Sequence, residues 1–269
     1  MDEIKVRVHA KVNLTLEITG VNGRGYHDLD MLCCSVEPFD EVRVRVFDDI
    51  KVTMDGARAG RENTAFRAAL CVLEASGVSL DVDIKKGIPT GAGLGGSSAD
   101  ASAVFYAATR LGLIDVAVAE KLCVKVGSDV AYMMRGGYCR LRGEGEKITP
   151  LGDADFTLAL VQKEIGASTA DVYRGYDEHP VKGLGVDAVL RGEKFYNVLE
   201  RSATRLCSSI NEVKRRLSQL YGNACMTGSG SAVFSVVNDG ENEKLLKEKF
   251  ADCAFARLVK TVPAGIEEI

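Results

Sequence analysis

The sequence predicts an α+β fold, in which strands and helices come in runs with antiparallel-looking connections. Three observations predict it. The first twenty residues hold a long period-two alternation, the mark of an extended strand. Residues 80–111 read as a strand, a glycine-rich loop and a helix in succession. From residue 156 onward, short strands and helices are grouped without the steady strand–helix repeat of a doubly wound sheet. A turn near Pro150 divides the chain into two expected units, 1–150 and 151–269.

The opening strand places Ile4, Val6, Val8, Ala10, Val12, Leu14, Leu16 and Ile18 on one face, and Lys5, Arg7, His9, Lys11, Asn13, Thr15 and Glu17 on the other. That run is longer than a usual strand, so a bend or a break into two strands is expected. Lys11 and Asn13 are neighbours on the polar face, whose commonest role is a solvated sheet surface. Residues 20–25 are a turn, and Tyr26-His27 follows on a loop, a pair able to stack on and hydrogen-bond a flat heterocycle. A second strand covers 41–47. Asn63 suits the cap of a helix over 64–75.

Leu80, Val82 and Ile84 then alternate with Asp81, Asp83 and Lys85 as a half-buried strand. Gly91, Gly93, Gly95 and Gly96 follow, and Ser97 or Ser98 suits the N-cap of a helix whose apolar face holds Ala101, Val104, Phe105, Ala108 and Leu111, with Gly112 past its end. Glycine amides beside a helix N-terminus make an anion site, most naturally for phosphate. The loop lacks the Gly-Lys-Ser/Thr of a Walker motif. Its Gly-x-Gly-x-x-Gly spacing lacks the acidic end of a second parallel strand that a dinucleotide site requires.

A helix over 116–126 ends at Gly127, and Ser128-Asp129 opens a short one over 130–134. A carboxylate there is held ionised by the helix N-terminus, and a structural cap is the commoner role for Asp129 than a base. A strand at 138–142 and a turn at 143–146 complete this half. In the second half, strands are expected at 156–161, 224–226, 233–237 and 255–262, with helices over 168–173, 197–207, 211–221 and 241–250. Thr227-Gly228-Ser229-Gly230-Ser231 forms a second small-residue loop.

With 269 residues, 46% hydrophobic and 27% charged, the composition is that of a soluble globular protein of one large or two ordinary domains. The charged N-terminal residues do not form a signal peptide, and no apolar run reaches membrane-spanning length, so a cytoplasmic location without membrane partners is expected. A net charge of −4 supplies no global attraction for nucleic acid. The eight cysteines are scattered without a Cys-x-x-Cys pair, and three histidines leave little for a zinc site, so the cysteines read as buried thiols.

Assembled, these segments resemble the galactokinase, homoserine kinase, mevalonate kinase and phosphomevalonate kinase superfamily. Its signature, Pro-x-x-x-Gly-Leu-Gly-x-Ser-Ser-Ala, stands here as Pro89-Thr90-Gly91-Ala92-Gly93-Leu94-Gly95-Gly96-Ser97-Ser98-Ala99. A closer likeness is to the branch that phosphorylates the 2-hydroxyl of a cytidine-diphosphate-linked polyol in the non-mevalonate isoprenoid pathway. Ala10-Lys11-Val12-Asn13-Leu14, Gly25-Tyr26-His27-Asp28-Leu29, Gly127-Ser128-Asp129-Val130, Gly143-Glu144-Gly145-Glu146-Lys147, Ser168 to Tyr173 and Thr227 to Ser231 carry it.

The resemblance implies an N-terminal domain like the second domain of ribosomal protein S5 and a ferredoxin-like C-terminal domain. It also implies ATP and Mg²⁺ at the glycine loop, a small-molecule substrate between the domains, and a monomer or weak homodimer. It reverses the reading of Asp129, which matches the catalytic aspartate, and Lys11 matches the lysine beside the reacting hydroxyl. Tyr26 and Tyr173 align with aromatics sandwiching the cytosine, and His27 with the residue bonding its edge. Asn13, Thr169, Thr227, Gly228 and Ser229 align with substrate contacts, Lys86 and Asn63 with positions near the adenine nucleotide, and Ser97 and Ser98 with the metal. Asp100 would add a negative charge close to the triphosphate. Mevalonate or homoserine as substrate is the nearest alternative, but neither offers a flat base to stack; a ligand sensor without turnover would have no need of both Lys11 and Asp129.

Overall fold

The computed structural model describes residues 3–238 and 240–269. The N-terminal alternation forms one strand, β1 (Glu3–Val21), paired antiparallel with β2 (His27–Phe47) along most of its length. Its register shifts at His9/Ala10, Asn13/Thr15 and Ile18/Gly20. These irregularities bend the strand as its length required, and it does not break. His27, expected on a loop, is the first residue of β2, because the turn closes before it: the Asn22 amide donates to Tyr26 O at 2.8 Å.

On the far end of β2 lies β5 (Ser79–Lys85), followed by the parallel β3 (Lys51–Met54) and the edge strand β4 (Ala57–Arg58). The first residues of β2 pair instead with β6 (Cys139–Gly143), which carries β7 (Lys147–Pro150). The central helix, α2 (Gly96–Arg110), packs on β1 and β2 and is flanked by α1 (Thr64–Ser76), α3 (Val116–Val126) and α4 (Val130–Arg135). Asn63 caps α1 as expected, accepting from the Ala65 and Phe66 amides at 2.8 and 3.3 Å.

Neither Ser97 nor Ser98 caps α2. Gly95, at φ +77°, occupies the N-cap, so both serines fall within the first turn. The left-handed glycine turns the loop directly into the helix and leaves the first-turn amides open.

The second half forms an antiparallel sheet in the order β11 (Phe255–Val262), β8 (Thr157–Gln162), β10 (Val233–Val237), β9 (Ala224–Met226). Its helices are α5 (Thr169–Glu178), α6 (Val186–Leu190), α7 (Glu200–Leu206), α8 (Ser209–Tyr221) and α9 (Glu243–Lys249). Two pairings between named strands join the halves. Thr261 and Val262 of β11 pair with Val36 and Ser35 of β2, and β12 (Ile266–Glu268) pairs with Val6, Arg7 and Val8 of β1.

Beyond β12, the outer edge of β1 is sealed by four further segments. The His9 amide donates to Gly265 O (2.8 Å), Lys11 to Leu94 O (3.0 Å), Asn13 to Thr227 Oγ1 (2.9 Å) and Leu16 to Tyr196 O (3.0 Å). As a result His9, Lys11, Asn13, Thr15 and Glu17 are all buried. From His9 to Glu17 the polar face of β1 is therefore not the solvated surface that alternation alone suggested. It is the floor of the junction between the two halves.

Among the described residues, no helix is long and apolar enough to cross a membrane. Cys33, Cys34, Cys123, Cys139 and Cys225 are buried free thiols, and burial pushes Cys34 and Cys123 up to about 12. A thiol reacts as its thiolate, which attacks the disulfide, so both burial and a raised pKa slow it. In the native protein an aromatic disulfide reagent at about pH 7.5 is therefore expected to titrate only Cys71, Cys207 and Cys253, and all eight cysteines after denaturation. Rapid reaction of a fourth thiol in the native state would contradict this packing.

Candidate active site

The glycine loop turns its carbonyl groups towards protein. Thr90 O accepts from Gln162 Nε2 (2.9 Å), Gly91 O from the Gly166 and Ser231 amides (both 3.3 Å), and Ala92 O from the Ala232 amide (3.1 Å). With Leu94 O bound to β1, the loop is held from both halves of the molecule. Among the described residues, the backbone N–H groups of 91–98 find no protein acceptor. Gly91, Gly93 and Gly95 all have positive φ. At Gly93 a Cβ would also lie 2.4 Å from Thr227 O, so the loop and the 227–230 turn meet backbone to backbone. Open amides, a helix N-terminus and no intervening side chains make an anion cradle. Within the loop, Pro89 is half-buried and Ala92 buried, and Ile165, largely exposed, stands over Gly91.

Beside this cradle lies the Lys11–Asp129 pair. Lys11 packs along Gly95, where a Cβ would come within 3.1 Å of its Cγ, and its ammonium sits 3.5 Å from Asp129 Oδ2. Asp129 occupies the N-cap position of α4 but makes no capping bond with its side chain. Its carboxylate is free to face Lys11, which overturns the cap reading. Lys11 Nζ also donates to Asn13 Oδ1, while Asn13 Nδ2 donates to Cys33 Sγ (2.9 Å) and Met31 Sδ (3.3 Å). The Asn13 amide is thus committed on both sides, and it holds the lysine.

The second wall is aromatic. His27 packs at 4.9 Å, ring centre to ring centre, on Tyr173 and at 6.2 Å on Tyr176, and its Nε2 pairs with Asp177 Oδ1 at 2.7 Å. Tyr26, 60% exposed, has the Arg24 guanidinium over its ring and leaves most of that surface free. Burial, and secondarily the Asp129 charge, push the Tyr173 hydroxyl well above its ordinary value. Thr169, the first residue of α5, meets Ser229 Oγ at 2.9 Å. The buried Asn197 donates from Nδ2 to Met226 O (2.9 Å) and Gly228 O (2.8 Å), and so sets the shape of the 227–230 turn.

Several placements differ from expectation. The Asp100 carboxylate is 1% exposed and accepts from Lys86 Nζ at 2.8 Å. The Asn63 side-chain oxygen is engaged in capping α1, so only its amide nitrogen is left for a ligand. Ser97 is exposed at the first turn of α2, and Ser98 Oγ faces the Gly127 backbone. Among the described residues, no three His, Cys, Asp or Glu side chains converge on a metal position.

Comparison with known proteins resolves which phosphate chemistry this is. The family described as GHMP kinases N terminal domain matches residues 63–137, and that described as GHMP kinases C terminal matches 185–255. A Desulfitobacterium hafniense protein named 4-diphosphocytidyl-2-C-methyl-D-erythritol kinase is 34% identical over 259 residues, covering 89% of each chain. A Clostridium acetobutylicum protein of the same name is 35% identical over 266 residues, covering 91% of this chain and 95% of that one. The chain belongs to the 4-diphosphocytidyl-2-C-methyl-D-erythritol kinase family. A crystal structure of 4-(cytidine 5'-diphospho)-2C-methyl-D-erythritol kinase, 32% identical, superposes with a TM-score of 0.77 over 97% of this chain and all of its own. Methanococcus jannaschii mevalonate kinase, 14% identical, shares the fold at a TM-score of 0.72. The expected two-domain α+β kinase fold is therefore that of the 4-diphosphocytidyl-2-C-methyl-D-erythritol kinase family. Asp40, Cys33, Asp177 and Asn197, which hold Lys86, Asn13, His27 and the 227–230 turn, escaped sequence reading because each acts on a residue far away in the chain.

Proposed function

We propose that this chain is an ATP-dependent kinase that transfers the γ-phosphoryl group to the 2-hydroxyl of 4-diphosphocytidyl-2-C-methyl-D-erythritol, a step towards isoprenoid precursors. The observation that carries the reading is the Lys11–Asp129 pair, 3.5 Å apart, at the mouth of a loop whose amides face no protein acceptor. Asp129 accepts the hydroxyl proton as the oxygen attacks phosphorus, and Lys11 neutralises the negative charge that develops there. The loop amides of 91–98 hold the phosphates in line, which is most of what phosphoryl transfer asks of a protein.

Mg²⁺ fits this site without a carboxylate cage, because the ion takes most of its ligands from phosphates and water. The Ser97 and Ser98 hydroxyls at the first turn of α2 would hold it, and when bound it neutralises charge on the transferring group. Tyr26 and Tyr173 flank the cytosine, His27 reads its edge, and Thr169 with the 227–229 turn lines the polyol and phosphate path. Asn13 acts by fixing Lys11. The chain works as two units, 1–150 and 151–269, as a cytoplasmic monomer or weak homodimer with no nucleic-acid or membrane partner.

The test is ADP release by the purified protein with ATP, Mg²⁺ and either the cytidylyl substrate or mevalonate. Turnover with the first and none with the second is expected; no turnover of the cytidylyl substrate would sink the reading. Tyr26→Ala should raise the KM of that substrate by about tenfold or more, the worth of one base stacked on an aromatic ring, with a smaller effect on kcat. An unchanged KM would remove Tyr26 from the base site.

A further inference from the structure

Lys86, Asp40 and Asp100 form a buried ionic cluster beneath the glycine loop. Asp40, on β2, is fully buried; its Oδ1 accepts from the Gly87 (2.7 Å) and Ile88 (2.9 Å) amides, and its Oδ2 accepts from Lys86 Nζ. The same ammonium donates to Asp100 Oδ2 at 2.8 Å. Lys86 is the last residue before the loop, and Asp100 lies just inside the helix that follows it. The ion pair therefore joins the two ends of the loop, and Asp40 ties its first end to the sheet. Lys86 also lies directly under the first residue of α2, since a Cβ on Gly96 would come within 3.4 Å of its Nζ.

We propose that Lys86, clasped between Asp40 and Asp100, is a positioning residue that holds the glycine loop in its phosphate-accepting shape. The inference rests on reading the loop as the nucleotide site, and it assigns Lys86 a task different from that of a direct phosphate ligand. Two carboxylates hold this one ammonium, so removing Asp100 deletes the bond that closes the loop and leaves Lys86 paired with Asp40 alone. Among the described residues, the second oxygen of Asp100 has no hydrogen-bond partner. Burial, against the pull of Lys86 and with the Asp40 charge behind it, pushes the Asp100 carboxyl up to about 7. A carboxyl so close to its neutral form is well mimicked by asparagine, which retains an acceptor for Lys86.

The two roles for Lys86 predict opposite signs. If Lys86 were a phosphate ligand, Asp100→Ala would remove a competing anion and tighten nucleotide binding. If it is a clasp, Asp100→Ala loosens the loop and weakens binding. ADP binding to the full-length protein, measured by calorimetry without the second substrate, is expected to weaken at least tenfold in Asp100→Ala and to stay within about threefold of wild type in Asp100→Asn, with KM for ATP rising more than kcat falls. If Asp100→Ala does not fold, Asp40→Asn repeats the test from the sheet side, because its buried side chain cannot touch the nucleotide. A Kd equal to or below that of wild type in the folded variant overturns the clasp. Wild-type protein that takes up no ADP overturns the nucleotide reading and the clasp with it.

Discussion

Asp129→Asn is expected to lower kcat by at least about 100-fold, the scale of losing a general base, while ATP binding largely survives. The amide keeps the shape of the carboxylate but cannot accept the proton. Its placement makes the experiment clean: Asp129 stands at the N-cap of α4 without a capping bond, so the substitution removes no helix-terminal interaction. Among the described residues it is paired with Lys11, on a strand far away in the chain. Single-turnover rates with saturating ATP and substrate, beside the Kd for ADP, separate chemistry from binding. A rate within a few-fold of wild type would mean that the carboxylate only balances the lysine.

Gly93→Ala should produce the largest loss of stability among single-atom additions to the loop. Gly93 has φ +76°, and the added carbon would meet Thr227 O at 2.4 Å, Gly230 N at 3.1 Å and Gly230 O at 3.2 Å. All three are backbone atoms, which cannot rotate away. The left-handed conformation costs about 1–2 kcal/mol for alanine, and the enforced separation of loop and turn adds to it, for a total of about 3 kcal/mol or more. Gly112→Ala is the internal comparison: its φ of +72° is nearly the same, but nothing lies within 4 Å. Thermal melts should show Gly93→Ala lower by roughly 5–10 °C and Gly112→Ala by a few degrees at most. Equal losses would mean that the loop and turn are not in contact, and nucleotide binding should fall only in the first.

The parts that local patterning controls were legible in the sequence. Helix α3 occupies 116–126 as its periodicity and Gly127 indicated, and β10 and β11 match their apolar runs. The glycine loop was recognisable because backbone approach to an anion demands a rare composition. What escaped reading depends on distant partners. Alternation shows that Lys11 and Asn13 share a face, but not whether water or the other half of the chain covers it. A lone carboxylate such as Asp40, at the end of a charged strand segment, looks like surface until its contacts with Lys86 and the 87–88 amides are seen. Ser97 and Ser98 have the chemistry of a cap, yet the left-handed Gly95 in front of them starts the helix first. Elements as short as β12 and α6 carry too few residues for any period to register.

The way β1 is sealed has a consequence for biosynthesis. The strand that carries Lys11 is synthesised before every segment that closes its edge: Leu94, Tyr196, Thr227, Gly265 and Ile266–Glu268. Until those residues emerge, a long, largely apolar edge stays open to pairing with other nascent chains. Vectorial synthesis therefore delivers the phosphate loop and the carboxylate base well before the strand between them is locked. The junction floor that carries Lys11 is fully covered only once Ile266–Glu268 has been made and has paired with β1.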